Sequence, residues 1–188
     1  MNLVLASASP RRQELLGHFG VDITIDPSTA PETPPPGASA EAVAKTLSAA
    51  KALEVAARHP GELVIGADTV VELGGAILGK PRSREDAFSM LRAVSGQEHR
   101  VYTAVTVARD NQSLTEAEMT RVRFRKLSDR EIWAYIETGE PMDKAGAYDY
   151  QGLAGLFVTG IEGDFFNVVG LPLCRLGKML ENWGVTLL

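Results

Sequence analysis

The chain has 188 residues, of which 45% are hydrophobic and 23% charged, enough for one ordinary folded domain with its own core. Its formal net charge is −5, which argues against a nucleic-acid-binding module, because such modules carry a basic excess. Cys174 is the only cysteine, so no intrachain disulfide can form, and His18, His59 and His99 are too scattered for a zinc site. Cys174 lies in an apolar run and is expected in the core. No stretch is apolar for long enough to span a bilayer, and the N-terminal apolar run is too short for a signal peptide. The expectation is a cytoplasmic protein with no membrane partner and one domain over residues 1–188.

The first stretch, residues 3–16, reads as strand, tight turn and helix. Leu3 to Ala6 are apolar, Ser9 suits an N-cap and Pro10 the first helical position. Arg11 and Arg12 then stand at a helix N-terminus, where cations are unfavourable unless an anion joins them. With the Ser7 hydroxyl and free backbone N–H groups beside them, they point to an anionic ligand. Residues 21–25 alternate as a strand. The proline-rich residues 26–39 then make a loop that carries Glu32. Ser39 caps a helix to about Arg58 whose apolar face is Val43, Leu47 and Ala50, with Lys51 at its border.

Residues 63–66 form a buried strand and Asp68 comes directly after its apolar run. A carboxylate there needs a partner or a ligand. The chain stays extended to Leu73, turns at Gly74-Gly75, and returns to Gly79-Lys80-Pro81, which holds a lysine on a stiff turn. Ser83 with Asp86 suggests a capping box for a helix to Val94 with Ala87, Phe88, Leu91 and Val94 inward. Two long strands follow, residues 100–109 and 114–127. The second has Arg121, Arg123 and Arg125 on one face, a stripe read as solvated because acids flank it. Ser128 to Glu131 is a capping box for a helix ending at Gly139. A glycine-rich segment then carries Asp149 and Gln151, a strand starts at Phe157, and a final helix buries Leu173, Leu176, Leu180 and Trp183.

SASPRRQELL, GADTVV, GKP, TGEPMDKAGAYDYQG and GDFFNVVGLPL stand in this order along nearly the whole chain. Together they resemble the Maf family of nucleoside triphosphate pyrophosphatases, also called septum-formation inhibitor proteins. The resemblance implies an α/β fold shared with inosine-triphosphate pyrophosphatases. Its elongated mixed sheet is flanked by helices, and two lobes enclose a central cleft. It implies hydrolysis of a nucleoside triphosphate to monophosphate and pyrophosphate, a divalent cation (Mg²⁺ or Mn²⁺), and a homodimer. By motif position, Ser7, Arg11, Arg12, Lys51 and Lys80 match substrate-binding residues. Asp68 matches the catalytic acid. Asp68 and Glu32 are the implied metal residues. The residues themselves leave open whether Asp68 holds the metal, orients water or takes its proton.

Within that family, Thr69, Gln151 and Arg11 match the dTTP/UTP branch rather than the 7-methyl-GTP branch. The chemistry agrees, because a glutamine amide offers one acceptor and a donor pair to the N3–H and carbonyls of uracil or thymine. A carboxylate would instead suit the donor edge of 7-methylguanine. The alternatives are a 7-methyl-GTP pyrophosphatase and a nucleotide-binding regulator of cell division without turnover.

Overall fold

The computed structural model describes residues 2–187. Its centre is a seven-stranded mixed sheet, ordered β2 (Ile23–Ile25), β1 (Leu3–Leu5), β3 (Leu63–Leu73), β5 (Glu98–Arg109), β6 (Gln112–Phe124) and β7 (Val158–Glu162). The short β4 (Ala76–Leu78) pairs with β3 off this path. β1 runs parallel to β2 and β3, and the remaining pairs are antiparallel. The helices are α1 (Pro10–Gly17), α2 (Ala40–Ala56), α3 (Arg84–Val94), α4 (Asp129–Glu137), α5 (Phe165–Val169) and α6 (Leu173–Glu181). This is the mixed α/β architecture expected from the sequence.

β3 explains the two lobes. One edge pairs with β5 along most of its length. The other edge is shared: β1 takes residues 63–65, and β4 takes residues 71–73. Residues 66–70 between them are unpaired on that side, so the sheet has a gap with Asp68 at its middle. A separate apolar cluster lies at each end. One joins Leu3, Leu5, Leu16, Ile65, Leu176 and Leu180; the other joins Leu91, Val122, Phe124, Ile132, Tyr148 and Phe157.

Most boundaries follow local chemistry. Ser39 accepts from the Ala42 N–H, and Ser128 with Glu131 forms a complete capping box. The expected box at Ser83 is half made, because Asp86 accepts from the Arg82 N–H instead of reaching Ser83. Ser9 stands at the N-cap of α1 without a capping hydrogen bond. Residues 63–73 form one unbroken strand, so Asp68 lies mid-strand rather than at a strand end. Cys174 is exposed, contrary to expectation, because the buried stripe of α6 is Leu176, Met179 and Leu180. The short helix α5 was not anticipated; Asp164 caps it by accepting from the Phe166 N–H. Each member of the arginine stripe is answered by acids: Arg121 by Glu98 and Glu162, Arg123 by Glu98, and Arg125 by Glu131. Among the described residues, no helix is long and apolar enough to cross a membrane.

Candidate active site

The gap in the sheet collects side chains from both of its faces. From one face comes Lys51 on α2. Its ammonium lies 2.7 Å from Asp68 Oδ1 and 2.6 Å from Glu32 Oε1, so the proline-rich loop does reach the site. Gly66 sets this closeness. A Cβ on Gly66 would fall 2.5 Å from the Ser48 carbonyl oxygen and 2.7 Å from the Ala52 nitrogen, so only glycine lets α2 lie this near β3.

The two carboxylates that share Lys51 are driven apart in acidity. Burial raises the pKa of Asp68 above the ordinary aspartate value, against the pull of Lys51 and Arg12. Glu32 is more open to solvent, and the hydrogen bond from Lys51 lowers its pKa. Asp68 is therefore the group that takes up a proton more readily.

From the other face comes Arg12. Its Nε donates to the Gly170 carbonyl at 2.8 Å. One terminal nitrogen donates to Ser7 Oγ at 3.2 Å and the Ala67 carbonyl at 3.0 Å, and the other to Thr69 Oγ1 at 3.1 Å. All four acceptors are neutral. Among the described residues, no carboxylate lies within ion-pair distance of this guanidinium. Burial lowers its pKa to about 10, with Asp68 opposing. A partly buried cation whose hydrogen bonds all go to neutral groups is stabilised further by an anion beside it. Of the two arginines for which the sequence suggested an anion, Arg12 thus has no carboxylate partner, whereas Arg11 has Asp149 at 2.7 Å.

Thr69 continues the chain of hydrogen bonds inward. The Thr103 hydroxyl gives its one proton to the Asn167 carbonyl at 2.8 Å, so Thr69 must donate to Thr103 Oγ1, at 2.9 Å. Asn167 is fully buried on α5. Its Oδ1 accepts from the Thr103 N–H, and its amide donates to the Val101 carbonyl and Thr120 Oγ1. It thereby fastens α5 to β5 and β6 and supports Thr69 and Arg12 from behind. The motif GDFFNVVGLPL contains Asn167, yet no periodicity marked it as a buried polar anchor.

Arg11 turns a different way. It pairs with Asp149 at 2.7 Å, across from the segment that carries Gln151. Gln151 is exposed, and its N–H donates to Asp149 Oδ1 at 3.1 Å. Lys80 is exposed on the turn after β4, and that turn is held by the Gly146 N–H donating to the Gly79 carbonyl at 3.0 Å. The charge of Lys80 is felt at Glu32. The structure thus brings most, but not all, of the residues singled out from the sequence to one gap. Their places divide: Arg12 with Ser7, and Lys51 with Asp68 and Glu32, meet at the gap, Arg11 pairs with Asp149, and the exposed Lys80 and the Gln151 side chain make no hydrogen bond or ion pair there among the described residues.

The donor set also suits a hard divalent cation. Asp68 and Glu32 already converge on one positive centre, the Lys51 ammonium, and both offer carboxylate oxygens. Among the described residues, no cluster of three or more His, Cys, Asp or Glu forms a complete metal cage. Two carboxylates with remaining positions filled by phosphate oxygens and water is the usual partial set for Mg²⁺ beside a nucleotide.

Fold and site together define an α/β protein in which Lys51 and Arg12 approach a gap in the sheet from its two faces, beside the carboxylates of Asp68 and Glu32. Two solved structures share the fold: the Staphylococcus aureus Ham1 protein (TM-score 0.54, 14% identity, covering 97% of this chain and 100% of that one) and a HAM1 protein from Coxiella burnetii (TM-score 0.51, 14% identity, covering 97% and 99%). The sequence places it more narrowly. The Maf-like protein family model matches residues 2–183, and the chain belongs to that family. Similar relatives are the dTTP/UTP pyrophosphatases of Koribacter versatilis strain Ellin345 (48% identity, covering 98% of this chain and 96% of that protein) and Thermococcus onnurineus strain NA1 (51% identity, covering 95% and 96%).

Proposed function

We propose that this chain is a nucleoside triphosphate pyrophosphatase that hydrolyses dTTP and UTP to the nucleoside monophosphate and pyrophosphate. The observation that carries the reading is the partly buried Arg12 guanidinium, held by neutral acceptors beside the same gap as Lys51 and Asp68. The names of the relatives supply the substrate class.

In this reading the triphosphate provides the counter-ion that Arg12 lacks. Ser7 and the N-terminus of α1 add donors, and Lys80 reaches in from the opposite lobe. Lys51 exchanges part of its carboxylate contact for phosphate oxygen. Asp68, with its raised pKa, takes the proton from water attacking phosphorus or orients that water. The bond between the α-phosphorus and its bridging oxygen breaks, and charge moves to the leaving pyrophosphate beside the cations. A divalent cation, Mg²⁺ or Mn²⁺, held by Asp68 and Glu32 would neutralise part of that charge. Thr69, Arg11 and Gln151 select the base. The reading includes a homodimer, as the family resemblance implies, and the cytoplasm that the sequence led us to expect.

Pyrophosphate release from a panel of triphosphates with Mg²⁺ or Mn²⁺ tests it. dTTP and UTP should lead CTP, ATP and GTP clearly in kcat/KM. Preference for 7-methyl-GTP would overturn the branch, and binding without turnover would favour the regulator. Gln151→Glu should weaken dTTP and UTP use; unchanged selectivity would remove Gln151 from the base site.

A further inference from the structure

Asp149 has no assigned part in the reaction, yet both of its carboxylate oxygens are engaged. Oδ2 lies 2.7 Å from the Arg11 guanidinium, and Oδ1 accepts from the Gln151 N–H at 3.1 Å. One side chain therefore joins a residue on α1 of one lobe to the segment carrying Gln151 on the other. The pair is largely sheltered, with 31% of the Arg11 side chain and 16% of that of Asp149 exposed.

Asp149 is itself held from behind. Its N–H donates to Tyr135 Oη at 3.0 Å, and Tyr135 Oη donates to Glu140 Oε1 at 2.7 Å. The other Glu140 oxygen accepts from the Leu153 N–H at 3.2 Å. The Gly152 N–H returns to the Asp149 carbonyl at 3.1 Å, and a Cβ on Gly152 would collide with the Glu140 carboxylate. Residues 149–153 are thus wrapped around Glu140, and the Asp149 carboxylate has a fixed direction. Burial and the bond to Glu140 raise the Tyr135 pKa, which keeps its hydroxyl protonated as a donor.

We infer that Asp149 is a positioning residue: it aims the Arg11 guanidinium and fixes it relative to Gln151, so that the two base-discriminating groups act as one unit. The inference rests on the proposed function for the identity of the base. A guanidinium released from Asp149 would be drawn to the phosphates by charge alone, and selection by the base would weaken.

The test is Asp149→Asn, which can keep the acceptor for the Gln151 N–H but removes the charge that holds Arg11. Expected are a KM for dTTP and UTP raised about tenfold with kcat nearly unchanged, and an efficiency ratio of UTP over CTP lowered about as much, with the melting temperature unmoved. Asp149→Glu should restore part of the selectivity. Combining Asp149→Asn with Arg11→Ala should cost no more than Arg11→Ala alone, since the first acts only through the second. Wild-type KM and ratio in Asp149→Asn, or losses that multiply in the double variant, would overturn the inference. Preference of the wild type for another triphosphate would instead overturn the proposed function; the same variants are then compared on that triphosphate. If turnover is absent altogether, they are compared by calorimetric Kd for dTTP and CTP, with the same expected losses and the same deciding non-additivity.

Discussion

Gly66 lies so close to Ser48 that a Cβ placed on it would meet the Ser48 carbonyl oxygen at 2.5 Å. This contact seats α2 on β3 and brings Lys51 within 2.7 Å of Asp68. Gly66→Ala should push the helix away, costing about 1–3 kcal/mol in stability and roughly 100-fold in kcat/KM. Gly177→Ala is the control. It sits in α6 with nothing within 4 Å of the added Cβ, and should be neutral or slightly stabilising. Thermal melts and steady-state kinetics on both variants check this.

Asp68→Asn should leave the fold intact and lower turnover by about 100-fold or more. Its pH behaviour is specific. Burial raises the folded pKa, so the stability contributed by the protonated form is present below the unfolded value and is lost as pH rises through the raised one. Activity needs the carboxylate and moves the opposite way, rising with pH. Steady-state kinetics beside thermal melts of the variant check this; near-wild-type turnover in Asp68→Asn would remove Asp68 from the reaction.

Arg12→Lys keeps the charge and loses the fork. One ammonium cannot replace donors to Gly170, Ala67, Ser7 and Thr69 together. The variant should lose about 2–4 kcal/mol and bind triphosphate poorly, because backbone carbonyls are left unsatisfied. Lys80→Ala should separate these effects, because Lys80 is exposed. We expect its stability to change by less than about 0.5 kcal/mol while kcat/KM falls about tenfold or more. Denaturant melts paired with kinetics distinguish the two outcomes.

His99 should make the fold sensitive to mild acid. It is buried against Tyr148 and Phe124, and burial lowers its pKa to about 4. The unfolded chain takes up this proton near pH 6.5, so stability should fall between about pH 6.5 and 4, by up to about 3 kcal/mol, and then level off. His99→Phe should flatten this part of the curve while losing the 2.8 Å hydrogen bond to Tyr148. Denaturant titrations across the range decide it.

The sequence alone determined the elements whose signals are local. Pro10 after Ser9, Ser39 before an apolar-faced run and Ser128 three residues before Glu131 each mark a helix start, because capping depends on neighbours within one turn. It also singled out Arg11, Arg12, Asp68, Lys51 and Lys80, since charges on turns or beside buried runs must be answered by something. What answers them was decided only by the tertiary structure. Arg12 is bound to groups on β3, at the end of α5 and in its own turn, Lys51 to two acids, and Arg11 to Asp149. Asn167 and Glu140 were not marked as anchors at all, because a polar residue shows no periodicity when its partners lie on other elements. Even the exposure of Cys174 followed from which face of α6 met the sheet. Local chemistry fixes where helices and strands begin; only long-range packing fixes which partner a charge receives, and here that partnering sets Lys51 on Asp68 and Glu32 apart from Arg11 on Asp149.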